Sequence, residues 1–322
     1  MIIEKESIAG FDNNEVKYDK SDYPKPPKGS HLPLPYYVCL LIGSTGTGKT
    51  QALVKLLKYL EKAKYYNNEG EEVKQRIWLF CPTAEANPIY KTLKNLDPAD
   101  IVTEYTDSAL TNTLDEIKQI KEEAEDYQKL LKVWRKFEKS KTDKNITNEE
   151  IMTLELMNWE APIPPKYATG IANHIILDDL LAQPNAFKAN GNSAISNLTV
   201  KCRHYSSNVY VLGQSSAQIP KIVRIQARLL MLYRFNSKKI TEELYDVVSS
   251  LLSPEEFEKI YDDATAKKYN FLTVDNTGSD LILKQNLNIL IKIKRQKKIS
   301  KGFKPKTIHD QQVEALAVEG KK

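Results

Sequence analysis

Residues 36–50 read Tyr-Tyr-Val-Cys-Leu-Leu-Ile-Gly-Ser-Thr-Gly-Thr-Gly-Lys-Thr. The first seven, Tyr36 to Ile42, are apolar throughout, as a strand covered on both faces should be. The next eight, Gly43-Ser44-Thr45-Gly46-Thr47-Gly48-Lys49-Thr50, fit the spacing G-x-x-x-x-G-K-[ST]. They run straight into a stretch that reads as helix from Lys49 to about Lys64. Glycines at 43, 46 and 48 let the backbone curl so that successive N–H groups face one anion, and the helix start adds partial positive charge. In such a loop Lys49 reaches the β- and γ-phosphates of ATP and the Thr50 hydroxyl holds Mg2+. The plain alternative is a glycine-rich turn, and the flanking strand and helix weigh against it.

Working outward, Arg76 to Cys81 reads as a second buried strand, closed by Pro82. His174 to Leu177 reads as a third, Asn208 to Leu212 a fourth, Leu229 to Phe235 a fifth, and Phe271 to Val274 is strand-like. Strands alternating with longer polar or helical stretches predict an α/β fold, a mainly parallel central sheet flanked by helices. The third strand ends in Asp178-Asp179. Downstream of a phosphate loop, Asp178 is placed to bind Mg2+ through water and Asp179 to orient or deprotonate the attacking water. A helix-capping acidic pair before Leu180 is the other reading. The fourth strand leads through Gly213 to Gln214, an amide able to sense a γ-phosphate or position water, or else a turn residue before Ser215-Ser216. Hydrolysis of this kind often uses an arginine from a neighbouring subunit. Arg203, Arg224, Arg228 and Arg234 are the candidates.

The remainder of the chain frames that core. Residues 1–35 hold Pro24, Pro26, Pro27, Pro33 and Pro35 and read as an extended arm. A core is expected over 36–280, with a helical insertion at about 107–160. Within it Ile117, Ile120, Ala124, Tyr127, Leu131 and Trp134 recur at helical spacing, and Thr147-Asn148-Glu149-Glu150 is a capping box. The insertion reads as a helical hairpin with one face packed, or alternatively as a partner-binding projection. Ser253-Pro254-Glu255-Glu256 opens a further helix. A basic tail is expected over 281–322: Leu281 to Lys306 contains nine Lys or Arg and no acid, leaving 38 basic against 42 acidic residues elsewhere. The apolar run Tyr36–Ile42 is far short of a bilayer span, and MIIEKESIAG lacks a secretion pattern. Cys39, Cys81 and Cys202 have neither metal-ligand spacing nor the even count of a disulfide framework, which suggests an intracellular setting.

With those residues in view, the chain resembles the genome-packaging branch of the FtsK–HerA superfamily, which includes poxvirus-type, large-DNA-virus, virophage and Polinton-like packaging ATPases. The resemblance rests on RHYSSNVYVLGQSSAQIPKIVR followed by LLMLYRF, on Tyr269-Asn270-Phe271-Leu272 with Asp275, and on Gly43–Thr50, Asp178-Asp179 and Gln214, over roughly residues 36–280. It implies an additional-strand P-loop core in which the Gln-bearing strand separates the loop strand from the acid-tipped one. It also implies a homo-oligomeric ring, pentameric or hexameric, with ATP at subunit interfaces, moving double-stranded DNA without sequence specificity, with a capsid component as further partner. The implied location is the host cytoplasm or viral factory, or the virion, with no membrane insertion. Arg203 sits where the branch places its trans-acting arginine, with Arg224 second. Many superfamily members end the acid-tipped strand in Asp-Glu, whereas this chain has Asp-Asp. Cellular chromosome pumps carry membrane segments and a winged-helix domain not seen in this sequence, which favours the viral type. A cellular or plasmid DNA pump of the same superfamily, and a P-loop phosphotransferase, are the other readings. Basic residues from Lys284 to Lys306 are expected either to meet DNA phosphates or to serve as a solubilising or capsid-binding tail.

Overall fold

The computed structural model describes residues 23–140, 146–180, 183, 186–187 and 193–293. The chain forms two compact units, Met1–Leu290 and Ile291–Lys322, and the described part of the second is 291–293. In the first unit, strand β1 (Val38–Ile42) leads through the glycine loop into helix α1 (Lys49–Ala63). Then come β2 (Tyr65–Tyr66), β3 (Glu72–Phe80), a 3-10 turn at Pro88–Thr92, and β4 (Leu96–Val102). Helices α2 (Asp107–Ser140) and α3 (Asn148–Leu156) precede β5 (Ile171–Leu177). Helix α4 (Ala194–Lys201), β6 (Ser207–Gly213), α5 (Lys221–Gln226) and β7 (Ala227–Tyr233) follow. The chain continues through α6 (Lys238–Val248), α7 (Pro254–Ala264), β8 (Phe271–Asp275) and β9 (Ile282–Gln285) to β10 (Ile289–Ile291), which runs across the boundary between the units.

The sheet order in the first unit is β9-β8-β7-β1-β6-β5-β3-β2, with β4 also on β3. Strands β7, β1, β6, β5, β3 and β4 are parallel, while β8, β9 and β2 pair antiparallel at the flanks. The acid-tipped strand β5 is thus separated from the loop strand β1 by β6, the arrangement the resemblance implied. Every residue of β1, β5 and β6 is buried, which explains why β1 throughout, and β5 and β6 over residues 175–177 and 209–212, read as apolar runs rather than alternations. Leu40, Leu41 and Ile42 are wholly buried, and each such side chain stabilises the fold by about 1.5–3 kcal/mol.

Registry aligns the strand tips. Ile42 pairs with Gly213, and Leu177 pairs with Val211. Gly43 N–H donates to the Gly213 carbonyl at 3.1 Å, and Asp178 N–H donates to Phe80 O at 3.0 Å. The carboxyl ends of β1, β6 and β5 therefore form one rim, at the point where the connection from β1 runs toward β3 while that from β6 runs the other way to β7. That crevice is where open α/β sheets hold ligands.

Two polar groups of the sheet, buried His174 and half-buried Arg76, are well paired. His174 bonds Tyr210 OH at 2.9 Å and Gln75 Oε1 at 3.1 Å, and burial drives its imidazole pKa down to about 3, so it remains neutral. Arg76 grips buried Asp100 with two bonds of 2.7 Å, pairs with Glu116 at 2.9 Å, and lies 3.8 Å above the Trp78 ring. One guanidinium thus ties β3 to β4 and α2, and its planar fork suits the task better than an ammonium would.

In the insertion, α2 is a continuous helix of 34 residues. The Thr147–Glu150 capping box opens α3, and the Phe137 ring packs 5.5 Å from Trp134 and 5.3 Å from Trp159. The Ser253–Glu256 box likewise opens α7. One expectation for the tail is corrected. Lys284 is no solvated tail residue: it lies in β9, 5% exposed, donating to His31 O at 2.6 Å with Asp275 at 3.8 Å. Pairing of β9 with β8 draws it into the sheet. The basic residues from Lys294 to Lys306 lie outside the described residues.

Candidate nucleotide-binding site

The loop is shaped by contacts that only its own residue types permit. Gly48, the residue before Lys49, has φ of +93°, and Gly46 has +77°, in the left-handed region that favours glycine. Gly43 is required for space: a Cβ there would stand 2.7 Å from Tyr233 Cβ and 2.8 Å from Thr47 Oγ1. Tyr233, at the tip of β7, also donates its hydroxyl to Gly48 O at 3.1 Å, bracing the loop from the side. No side chain caps α1 at Gly48. The first-turn N–H groups of a helix have no intrahelical partner, and together with the helix dipole they favour an anion.

Lys49 curls back over the loop, donating to the carbonyls of Gly43 at 2.7 Å and Ser44 at 3.0 Å. Burial lowers its pKa, against the raising influence of Asp178 and Asp179. A phosphate would offset that desolvation directly.

Across the rim, the Thr50 hydroxyl donates to Asp178 Oδ2 at 3.2 Å. Asp178 is 5% exposed, and burial raises its carboxyl pKa above the ordinary value. A second donor completes its environment: Tyr90 OH bonds the same oxygen at 2.5 Å. Tyr90 sits on the 3-10 turn after β3 and is 1% exposed. Its hydroxyl is held protonated by burial, with the neighbouring Asp178 charge adding to the effect. Nothing in the local sequence Asn87-Pro88-Ile89-Tyr90 marks this role; only the tertiary contact reveals it.

Asp179 follows in a left-handed conformation, φ +57°, exposed, and accepts from Thr83 Oγ1 at 3.3 Å. That backbone turn sends consecutive carboxylates in different directions, one inward to Thr50 and Tyr90 and the other to the surface. Gln214 is exposed at the β6 tip, on the strand between β1 and β5.

The structure therefore brings Gly43–Thr50, Asp178, Asp179 and Gln214 to one rim. Arg203 is elsewhere. It is exposed on the turn between α4 and β6, at the far end of a strand whose length, at about 3.3 Å per residue, puts roughly 20 Å between it and the loop. Arg224 is half-buried on α5, donating to Ile219 O at 3.1 Å. Arg228 lies near the start of β7, at the same far edge. Arg234, just past the β7 tip, is at the loop edge but pairs with Asp262 at 3.4 Å.

The hard oxygen donors of Thr50 and Asp178 suit Mg2+, and a desolvated carboxylate is relieved by a cation. Among the described residues no group of three or more His, Cys, Asp or Glu could hold a metal alone. Two protein oxygens would have to be joined by phosphate oxygens and water, which is how Mg2+ is usually bound at nucleotide sites.

Fold and rim together have the arrangement of an additional-strand P-loop core, with the phosphate loop at the tip of β1. No protein-family model matches the sequence, and no curated protein matches it significantly. Among solved structures, the chain is similar to the genome packaging NTPase B204 from Sulfolobus turreted icosahedral virus 2 in complex with ATP-gammaS. The identity is 15% over 78% of this chain and 96% of that one, with a TM-score of 0.41. It is also similar to the pCW3 conjugation coupling protein TcpA, at 17% identity over 79% of this chain and 60% of that one, TM-score 0.37. A third is EssC (ATPases 2 and 3) from Geobacillus thermodenitrificans, at 15% identity over 78% and 39%, TM-score 0.43. At these identities each is alike in outline only.

Proposed function

We propose that this chain is an ATP-driven motor that moves double-stranded DNA to package a viral genome, hydrolysing ATP at the interfaces of a homo-oligomeric ring. The observation that supports hydrolysis most directly is the Thr50–Asp178 contact of 3.2 Å, which joins the phosphate loop to a buried, doubly hydrogen-bonded carboxylate. Loop N–H groups and Lys49 bind the phosphates and offset their charge. Thr50 and Asp178 hold Mg2+, which when bound supplies charge stabilisation to the phosphate oxygens. Asp179, turned to the exposed side, orients the attacking water and accepts its proton. Gln214 positions that water from the neighbouring strand.

Arg203 lies too far from its own loop to serve it. It is suited to reach the loop of the next subunit, and this is the physical reason to expect a ring. Packaging requires a grip on duplex DNA indifferent to sequence, which the basic residues beyond the described core are suited to provide through phosphate contacts. Such a motor would work in the host cytoplasm or viral factory, or on the virion, with a capsid component as its docking partner. No described helix is long and apolar enough to cross a membrane.

The test is steady-state ATP hydrolysis with and without long duplex DNA. Duplex DNA is expected to raise turnover several-fold, and Arg203→Ala to remove most turnover while nucleotide binding persists. A rate indifferent to DNA, or hydrolysis that requires a phosphate acceptor, would contradict the motor reading.

Tyr90→Phe removes one donor from Asp178 without changing the packing of the ring. Partners that orient a metal ligand are commonly worth 10–100-fold in metal affinity. The Mg2+ concentration giving half-maximal hydrolysis should therefore rise about tenfold, with little change in thermal stability. An unshifted Mg2+ titration would show Tyr90 to be a packing residue alone.

A further inference from the structure

The loop between α7 and β8 lies on the opposite side of β1 from the acids. In the sheet order, Gln214 follows β6 and Asp178 follows β5 on one side of β1, while β7 and β8 lie on its other side. Tyr233 at the β7 tip bonds the phosphate loop and packs against Phe271, the first residue of β8, with ring centroids 5.0 Å apart. Two residues earlier, Tyr269 reaches the loop itself: a Cβ placed on Gly48 would stand 3.8 Å from Tyr269 Cδ1. The ring is thus in van der Waals reach of the last glycine before Lys49, yet the residue remains 59% exposed.

Tyr269 also has φ of +67°, an uncommon conformation for a bulky side chain. Its neighbours hold it there. Asn270 N–H donates to Lys267 O at 3.1 Å, and Asn286 Nδ2 donates to Asn270 Oδ1 at 3.1 Å. Phe271 N–H donates to Asn286 Oδ1 at 3.1 Å, and Asn286 N–H to Phe271 O at 2.8 Å. The Lys268 ammonium lies 4.9 Å from the ring centroid. A non-glycine residue held at positive φ beside a ligand loop is the kind of backbone outlier that clusters at functional sites.

The geometry points to Tyr269 as the platform on which the nucleobase stacks, an inference that rests on the ATP-binding reading of Gly43–Thr50. The triphosphate has two ends. With the γ-phosphate facing Asp178 and Gln214, the ribose end is directed to the other side of β1, where Tyr269 stands. A flat π-face holds a purine without reading its hydrogen-bonding edge.

The test compares titrations of the 322-residue chain with ATP and with inorganic tripolyphosphate, both with Mg2+. Tyr269→Ala should weaken ATP binding about tenfold while tripolyphosphate affinity stays unchanged, and Tyr269→Trp should restore ATP binding to within about threefold of wild type. Unchanged ATP affinity in Tyr269→Ala would overturn the proposal. So would an equal loss for ATP and tripolyphosphate, which would make Tyr269 a brace for the loop. A wild-type chain that binds tripolyphosphate but not ATP would also overturn it. A wild-type chain that binds neither would overturn the phosphate-loop reading, and the base platform with it, a result distinct from failure at Tyr269 alone.

Discussion

Lys49→Ala should reduce ATP hydrolysis by about 10²–10³-fold, the usual cost of removing one preorganised charge from a transition state, and weaken ATP binding in parallel. The ammonium already lies over the loop, 2.7 Å from Gly43 O and 3.0 Å from Ser44 O. Phosphate oxygens need only replace those carbonyls as acceptors. Alanine leaves the loop glycines and the Tyr233–Gly48 brace intact, so the variant should fold with wild-type circular dichroism and near-wild-type melting. Hydrolysis above a tenth of the wild-type rate would mean that the loop is not the catalytic phosphate site.

Asp178→Asn should cost hydrolysis on the order of 10³-fold and leave nucleotide binding within a few-fold of wild type, because the loop contacts remain. Stability should move in the opposite direction. Burial raises the folded-state pKa of this carboxyl, so its stability contribution falls as pH rises through the carboxylate range and is unfavourable at neutral pH. An amide removes that buried charge while its carbonyl still accepts from Thr50 and Tyr90. The nucleotide-free variant should therefore melt at or above the wild-type temperature at pH 7. A variant that loses activity and also melts well below wild type would show Asp178 to be structural.

Much of this could be read from sequence, for identifiable reasons. The strands at the centre, β1, β5 and β6, are buried on both faces, so burial writes itself as apolar runs, over all of β1 and over residues 175–177 and 209–212 of the other two. The capping boxes at Thr147 and Ser253 are local hydrogen-bond patterns and form as read. The phosphate loop is legible because glycine spacing and the lysine are covalently fixed neighbours.

What stayed hidden depends on distant partners. Strand β4 reads Leu-Asp-Pro-Ala-Asp-Ile-Val, where a proline and two acids suggest a turn. It forms because Arg76 satisfies Asp100 and because Pro98 is tolerable on an edge. Tyr90 lies 88 positions from Asp178 in the chain and carries no motif. Tyr269 was legible only as part of a resemblance, since its closeness to Gly48 arises from the pairing of β7 with β8. Lys284 looked like one more tail cation until β9 drew it inside.

The central claim is that hydrolysis at this rim moves the protein along duplex DNA. Displacement of a third strand from a triplex placed far from the DNA end tests it most directly. The expected result is displacement that requires hydrolysable ATP, is delayed in proportion to the length of duplex to be crossed, and is abolished in Lys49→Ala. Rapid ATP hydrolysis in the presence of DNA with the triplex left intact would contradict it.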